Sequence, residues 1–477
     1  MANHTTLDFI KMAISMGLVI FSIVIVTALI FGENTKIAAD VAPAVAFILM
    51  WGSILWLSLV EGGKCAVVGL APVDGELYKD SHPTTNKICA LAHKGDNLDR
   101  YLMGRQFMVI FISFVINMCG APLAGAEVFN FPSWLESIFL GSGVAMVLTV
   151  VVVGQLTTQI NATTCMLDYI NTHFMTFTLW VALLIEKTGV MHICYLVKYL
   201  VYWLAGKPVV TNEAPRTTLQ NVFFYGRCLW SIGILAFALA VTIDALFKGQ
   251  TTMWEGVPDG VSVVVFFVLM VFTGLLEGMQ IALFAVAKLP KSEQGGPIAM
   301  KTCELMFHGD EKAFARFNVG RQMFVTLCFF VIARVTTLDV VIGVDENIFG
   351  VSDSVQKFFN MGFLGAIIAT ILGSISWQLI ASAFPREFLS NPLIYIFALI
   401  CLALEATGIC SGAWFLAIFH RKLNRLQTDE VYIGTAEERA ASKGKADSTS
   451  DSEEEAAEPV AVEGEGETAV VGSTDNV

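Results

Sequence analysis

Residues 261–280 read VSVVVFFVLMVFTGLLEGMQ. The last four, Glu277-Gly278-Met279-Gln280, set a carboxylate and an amide at the end of an apolar run long enough to enter a bilayer. The same arrangement stands earlier as Glu61-Gly62-Gly63-Lys64, after the apolar stretch Ile54–Val60. Each tetrapeptide is followed 43 residues on by the same tripeptide, Gly104-Arg105-Gln106 in the first case and Gly320-Arg321-Gln322 in the second, and the two sets lie 216 residues apart. A third echo, Glu186-Lys187-Thr188-Gly189 against Glu405-Ala406-Thr407-Gly408, recurs at 219. The chain is read as two homologous halves whose sharpest repetition is polar chemistry in an apolar setting.

The 477 residues are 55% hydrophobic and only 15% charged, with a mean hydropathy of +0.66. Those values place the chain outside soluble globular domains and predict an all-α polytopic membrane protein. Ten apolar runs fill residues 9 to 419, five in each half, near 9–31, 41–70, 107–122, 134–155, 174–203, 223–246, 261–287, 323–341, 358–383 and 393–419. About ten transmembrane helices are therefore expected. An odd number of spans makes the second copy enter the membrane from the opposite face, so the expectation is a 5+5 inverted repeat. Residues 1–205 form the first repeat, 206–219 the link, 220–425 the second repeat and 426–477 a disordered, acidic, cytoplasmic tail. The first run lacks a basic leader and a clear cleavage site, and is read as a retained helix.

The formal net charge of −13 is mostly tail: from Thr428 onward there are 14 acidic and 3 basic residues. Ser448, Ser450 and Ser452 each have an acidic residue three positions on, a weak hint of phosphorylation in a solubilising segment. The ten cysteines are scattered and imply packing thiols rather than disulfides or a metal cluster. In an inverted pair the two basic loops 71–105 and 288–321 fall on opposite faces. Orientation then rests on Arg421, Lys422 and Arg425, which place both termini in the cytoplasm and leave the sequons at Asn3 and Asn161 unused.

A carboxylate at membrane depth costs about 2.5–3.5 kcal/mol, so Glu61 and Glu277 require a cavity, a partner or a substrate. The glycines after them, Gly62 and Gly278, suggest a discontinuous helix whose freed carbonyls line a site; a wet helix end is the alternative. Arg105 and Arg321 can each balance the carboxylate of their own half, while the glutamines offer both donors and an acceptor. Glu186 and Glu405, with Gln159 and Gln378 upstream, suit a hard cation such as sodium or a proton relay; helix packing at the Thr-Gly steps is the rival reading. Such a site suits a small, neutral or weakly charged solute rich in hydroxyl or amide groups. No nucleophile motif, metal cluster or cofactor fingerprint is present, catalytic sites seldom occur twice, and an enzyme is not expected. No nucleic-acid partner is expected either.

These paired motifs resemble those of the diatom silicic acid transporters, a family marked by Glu-Gly-x-Gln followed by Gly-Arg-Gln in both halves. The stretch Ala90–Arg100 leading into Gly104 and the tetrapeptide Cys165-Met166-Leu167-Asp168 add to the resemblance, which covers residues 1–425. It implies uptake of orthosilicic acid across the plasma membrane, coupled to sodium and needing no other cofactor, for silica cell-wall formation. On that basis Gln106, Gln280 and Gln322 contact the hydroxyls of the solute. Glu61 and Glu277 accept from those hydroxyls, and Arg105 and Arg321 donate to them. Lys64 departs from the pattern, standing where the motif has glutamine and three residues after Glu61, within reach of an ion pair along a helix. A sodium- or proton-coupled symporter of another small polar solute, and a passive channel, share most of the same physical arguments.

Overall fold

In the computed structural model, residues 6–123, 125–254, 256–287, 289, 293–307 and 313–433 are described. The Asn3 sequon, the tail serines and most of the acidic tail lie outside them. The first half runs α1 (Thr6–Phe31), α2 (Pro43–Gly69), α3 (Pro83–Ala92), α4 (Asn97–Gly120), α5 (Val144–Ala162), α6 (Met166–Ile170), α7 (His173–Lys187) and α8 (Ile193–Leu204). The second half repeats the order as α9 (Thr218–Phe247), α10 (Asp259–Val286), α11 (Pro297–Phe307), α12 (Ala313–Thr336), α13 (Phe363–Ala383), α14 (Pro385–Leu389), α15 (Pro392–Ala406) and α16 (Gly412–Leu423).

Proline opens α2, α3, α14 and α15, where its missing N–H costs no hydrogen bond. The duplication extends to packing. Val19 of α1 shares an apolar cluster with Leu148 and Val152 of α5, as Leu235 of α9 shares one with Ile367 and Ile371 of α13. Even the isolated bridges Thr35–Pro122 and Thr251–Leu338 correspond.

The chain is an all-α polytopic membrane protein with eight helices long and apolar enough to span: α1, α2, α4, α5, α9, α10, α12 and α13. The fifth run of each half, expected as a span, is instead a pair of helices of 15 and 12 residues, about 22 and 18 Å long and each too short to cross. The chain turns between them at Gly189 (φ 83°) and Gly408 (φ 82°), a left-handed conformation that glycine adopts without strain. This accounts for the repeated Thr-Gly step.

The α7–α8 pair enters and leaves on one side. Before it, Asp168 bonds His82 at 2.8 Å and Asn171 bonds Thr85 at 3.2 Å. After it, Thr211 bonds Asp96 at 2.6 Å and Glu213 holds Arg100 at 2.7 and 2.8 Å. All of these partners belong to residues 82–100, the connection between α2 and α4. That side is called the loop face here; the Thr35–Pro122 and Thr251–Leu338 bridges mark the far face.

Four spans per half, an even number, change the symmetry. Along the α2–α10 contact, Lys64 meets Glu277 at 3.5 Å, Cys65 meets Gln280 at 3.8 Å and Gly69 faces the Phe284 ring. The partners advance together, so α2 and α10 run parallel. The halves are related by rotation about an axis along the helices, and the expected inverted arrangement does not hold. The connections following α2 and α10 consequently emerge on the same face rather than on opposite ones. On the loop face the ring of His93 donates to the Val67 carbonyl at 2.9 Å, and burial lowers its pKa, keeping it neutral there.

Candidate substrate site

A cavity of about 420 Å³ lies between the halves. Glu61, Gln106, Gln155, Glu277 and Gln322 form its polar end at mid-helix, and its lining continues past Ser113 and Thr326 to Asn117, Thr336 and Gly362, toward the far face. The walls between are mostly apolar, with scattered hydroxyl and amide side chains, so the carboxylates are confined to the deep end.

Local packing explains the Gly-Arg-Gln triplet. A Cβ on Gly104 would sit 1.8 Å from the Ala182 carbonyl oxygen of α7, and one on Gly320 would sit 1.7 Å from the Cys401 oxygen of α15. Glycine is what allows each span to touch its neighbouring short helix. The arginine that follows is wholly buried: Arg105 and Arg321 are both 0% exposed. Arg321 donates through Nη1 to Glu277 Oε1 at 2.8 Å and through Nη2 to Gln322 Oε1 at 2.9 Å. Arg105 likewise donates to Gln106 and stands 3.6 Å from Glu61. A guanidinium has no acceptor, so each amide must turn its oxygen toward the arginine and its NH₂ away. Gln322 uses that NH₂ to donate to Gln155 Oε1 at 2.8 Å. The arginines thus sit behind the cavity wall, where they balance the carboxylates and orient the amides, while glutamate and glutamine face the cavity.

Gln159 and Gln378, expected beside Glu186 and Glu405, belong to this centre instead. Gln159 donates to Glu61 at 3.1 Å and Gln378 to Glu277 at 2.9 Å, and both amide oxygens are buried without a hydrogen-bond partner. Both come from spans carrying π-helical turns, Thr149–Leu156 and Ile371–Ile375, a local widening often found at functional sites. Glu186 and Glu405 lie apart from the centre. Glu186 accepts from Tyr195 at 3.2 Å with His192 3.4 Å away, and Glu405 lines a separate space of about 170 Å³ with Lys11, Arg316 and Trp414.

Two further expectations change. The Glu-Gly steps are not helix breaks, because α2 and α10 run through them. Gly62 and Gly278 instead admit the rings of Tyr169 and Phe388 against the helix. Gln280 does not face the cavity; it is 0% exposed and donates to Asn318 of α12 at 3.0 Å. Asn318 was missed in the sequence, although a polar side chain two residues before Gly320 in an apolar helix was a usable signal. Lys64, the counterpart of Gln280, turns to the carboxylates and lies 4.0 Å from Glu61 and 3.5 Å from Glu277. The centre therefore holds three cationic side chains against two carboxylates, and its two-fold symmetry breaks at Lys64 against Gln280, at Gln155 against Ser374 and at Asn318 against Leu102.

In the Cys165–Asp168 tetrapeptide, Cys165 is buried and Asp168 bonds both His82 and the Gln427 backbone N–H. Among the described residues no group of three or more His, Cys, Asp or Glu side chains is placed to hold a metal, and all ten cysteines are buried and outside any disulfide. Asn161 is 1% exposed and donates to the Ala417 carbonyl at 2.9 Å, which leaves its sequon inaccessible.

A family model described as silicon transporter matches residues 3–476. No curated protein and no solved structure matches the chain. With repeated Glu-Gly and Gly-Arg-Gln elements converging on one cavity in a bundle of membrane-spanning helices, the chain belongs to the silicon transporter family.

Proposed function

We propose that the protein takes up orthosilicic acid across the plasma membrane by sodium-coupled alternating access, supplying silica cell-wall formation in a diatom. The observation that carries this reading is the convergence of Glu61, Gln106, Glu277 and Gln322 at the deep end of one cavity. Orthosilicic acid is a neutral tetrahedron of four hydroxyls, each able to donate and accept. Carboxylates accept from it and arginine-oriented amides donate to it, so the wall matches its hydrogen-bonding shell. The cavity ends at buried ion pairs, Arg321–Glu277 and Lys64–Glu277, so passage toward the loop face requires them to rearrange. Rocking of one half against the other, the two being related by an axis along the membrane normal, supplies that rearrangement.

The loop face is the cytoplasmic one in this proposal. Lys79, Lys87, Lys94, Lys207, Arg216, Arg421, Lys422 and Arg425 gather there, against Lys36, Lys248, Arg334 and Lys357 toward the far face. The cavity then opens outward. The unpartnered amide oxygens of Gln159 and Gln378, beside the two carboxylates, are the hard ligands that a sodium ion needs.

Uptake of silicic acid into proteoliposomes, with and without an inward sodium gradient, tests the reading. Accumulation is expected only with the gradient and is expected to fall in excess germanic acid; equal uptake in both conditions would identify a passive channel. In the same assay Gln322→Ala is expected to raise the half-saturating silicic acid concentration roughly tenfold, the cost of one or two hydrogen bonds near charged groups. An unchanged affinity removes Gln322 from the solute contact.

Lys64 provides a separate test of coupling. Its ammonium competes for the carboxylates that a cation would approach, and Coulomb repulsion at about 6 Å in a partly buried site is worth about 3 kcal/mol. Lys64→Gln is expected to lower the half-saturating sodium concentration at least tenfold. If the sodium curve does not move, the lysine has no part in coupling.

A further inference from the structure

On the loop face a second cavity, about 400 Å³, lies between α7, α8, the start of α4 and the link Ala205–Thr217. Five cations line it, and two are already committed: Lys198 pairs with Asp99 and Arg100 with Glu213. The other three, Lys187, Arg216 and Arg227, have no carboxylate within ion-pair distance among the described residues. Arg216 is held only by the Tyr199 hydroxyl at 3.2 Å and the face of Phe224. Arg227 spends one N–H on the Lys187 carbonyl at 3.4 Å, and its Nε is buried without a partner.

The carboxylates of the lining have their own donors: Asp99 has Lys198, Glu186 has Tyr195, and Asp96 has Thr211 and the Asn212 N–H. His192 is 1% exposed, lines the same cavity, and leaves both ring nitrogens without a hydrogen bond. The Nε2 of His192 stands 3.4 Å from Glu186, so the available donors are the three cations that lack a carboxylate.

The duplicated architecture does not demand this arrangement. At the matching place in the second half the common elements are Glu405, Arg316 and Lys11, for Glu186, Arg100 and Arg227. Where the first half has Lys187, His192 and Lys198, the second has Ala406, Ser411 and Ala417, and its space is less than half as large. Basic donors have accumulated at one of two equivalent positions, as expected of a site with its own ligand. Trp180 lines the cavity, and it and Leu184 are 56% and 65% exposed on the adjoining surface of α7, an apolar flank suited to a lipid tail.

We infer that this cavity is a binding site for a phosphate-bearing anion, with Arg216, Arg227 and Lys187 as its cationic contacts. Basic pockets between membrane helices on the cytoplasmic side capture anionic headgroups in this way. An occupant would bear on the substrate site, because α7, which carries Glu186 and Lys187, also makes the close contact with Gly104 beside Arg105.

The test uses the full-length protein in nanodiscs of phosphatidylcholine alone or with phosphatidylglycerol, and in detergent with inorganic phosphate. Retained lipid is read by native mass spectrometry and phosphate by a shift in unfolding temperature. Preferential retention of phosphatidylglycerol identifies a lipid headgroup as the source; a phosphate-dependent shift without lipid preference identifies a free anion. Either response is expected to weaken roughly tenfold in Arg216→Gln/Arg227→Gln and to persist in Lys207→Gln, an exposed cation paired with Glu387 outside the cavity. The single variant Arg216→Gln, on an exposed residue, serves if the double variant does not fold. No response to either anion, or a response that these variants leave intact, overturns the assignment. The readout is independent of silicic acid, so its failure leaves the proposed transport untouched.

Discussion

An Arg321→Ala protein is expected to lose silicic acid uptake by at least a hundredfold and to unfold at a lower temperature than the native chain. The guanidinium is fully buried and holds both Glu277, at 2.8 Å, and Gln322, at 2.9 Å. Its removal strands a buried carboxylate whose remaining donors are Gln378 at 2.9 Å and the Lys64 ammonium at 3.5 Å. Breaking one side of a buried ion pair costs about 3–5 kcal/mol. It also frees the Gln322 amide to rotate, so the wall loses charge balance and orientation together. Arg321→Lys separates the two roles: an ammonium keeps the charge but lacks the planar fork that serves two partners at once. It is expected to recover most of the thermal stability and little of the uptake. Thermal unfolding of purified protein, alongside uptake in proteoliposomes, reads both; native uptake by Arg321→Ala would remove the arginine from the site.

The second large effect is expected from a single methyl group. Gly320→Ala places a Cβ 1.7 Å from the Cys401 carbonyl oxygen, and because that obstacle is backbone, α12 and α15 must separate. Overpacking of this kind costs about 1–3 kcal/mol, occasionally more, and here it displaces the two residues that follow. Folded yield and uptake should both fall sharply, with Gly104→Ala behaving alike because its Cβ meets the Ala182 oxygen at 1.8 Å. Gly52→Ala is the control, since nothing lies within 4 Å of its added Cβ. Gly278→Ala should be milder, because it meets chiefly the movable Phe388 ring. A Gly320→Ala protein that folds and transports normally would show that the helices do not approach as closely as described.

Much of the site was legible in the sequence because its chemistry is written twice. Glu61 with Arg105 and Glu277 with Arg321 were paired on charge alone, and the structure brings each pair together. What periodicity could not reveal was direction around a helix. Gln280 and Gln322 look equivalent as amides in apolar runs, yet one turns back to Asn318 and the other toward the cavity. Likewise Gln159 and Gln378 are near in sequence to Glu186 and Glu405, but α5 and α13 carry them to Glu61 and Glu277. The glycines after the glutamates suggest a discontinuous helix, whereas they are places where an aromatic ring packs closely against an unbroken one.

By itself the sequence determined the helical membrane class, the duplication and, through its paired motifs, the family, because these depend on composition and residue type. Only the tertiary structure decided how the halves face one another. Residues 174–203 are apolar enough on average to be counted as a span, but Glu186 and Lys187 interrupt them and Gly189 turns the chain, leaving helices too short to cross. That one miscounted crossing turns five spans into four. An odd count inverts the second half and an even count does not, so a local turn at glycine sets the symmetry of the whole molecule and brings both sets of motifs to one cavity at the same depth.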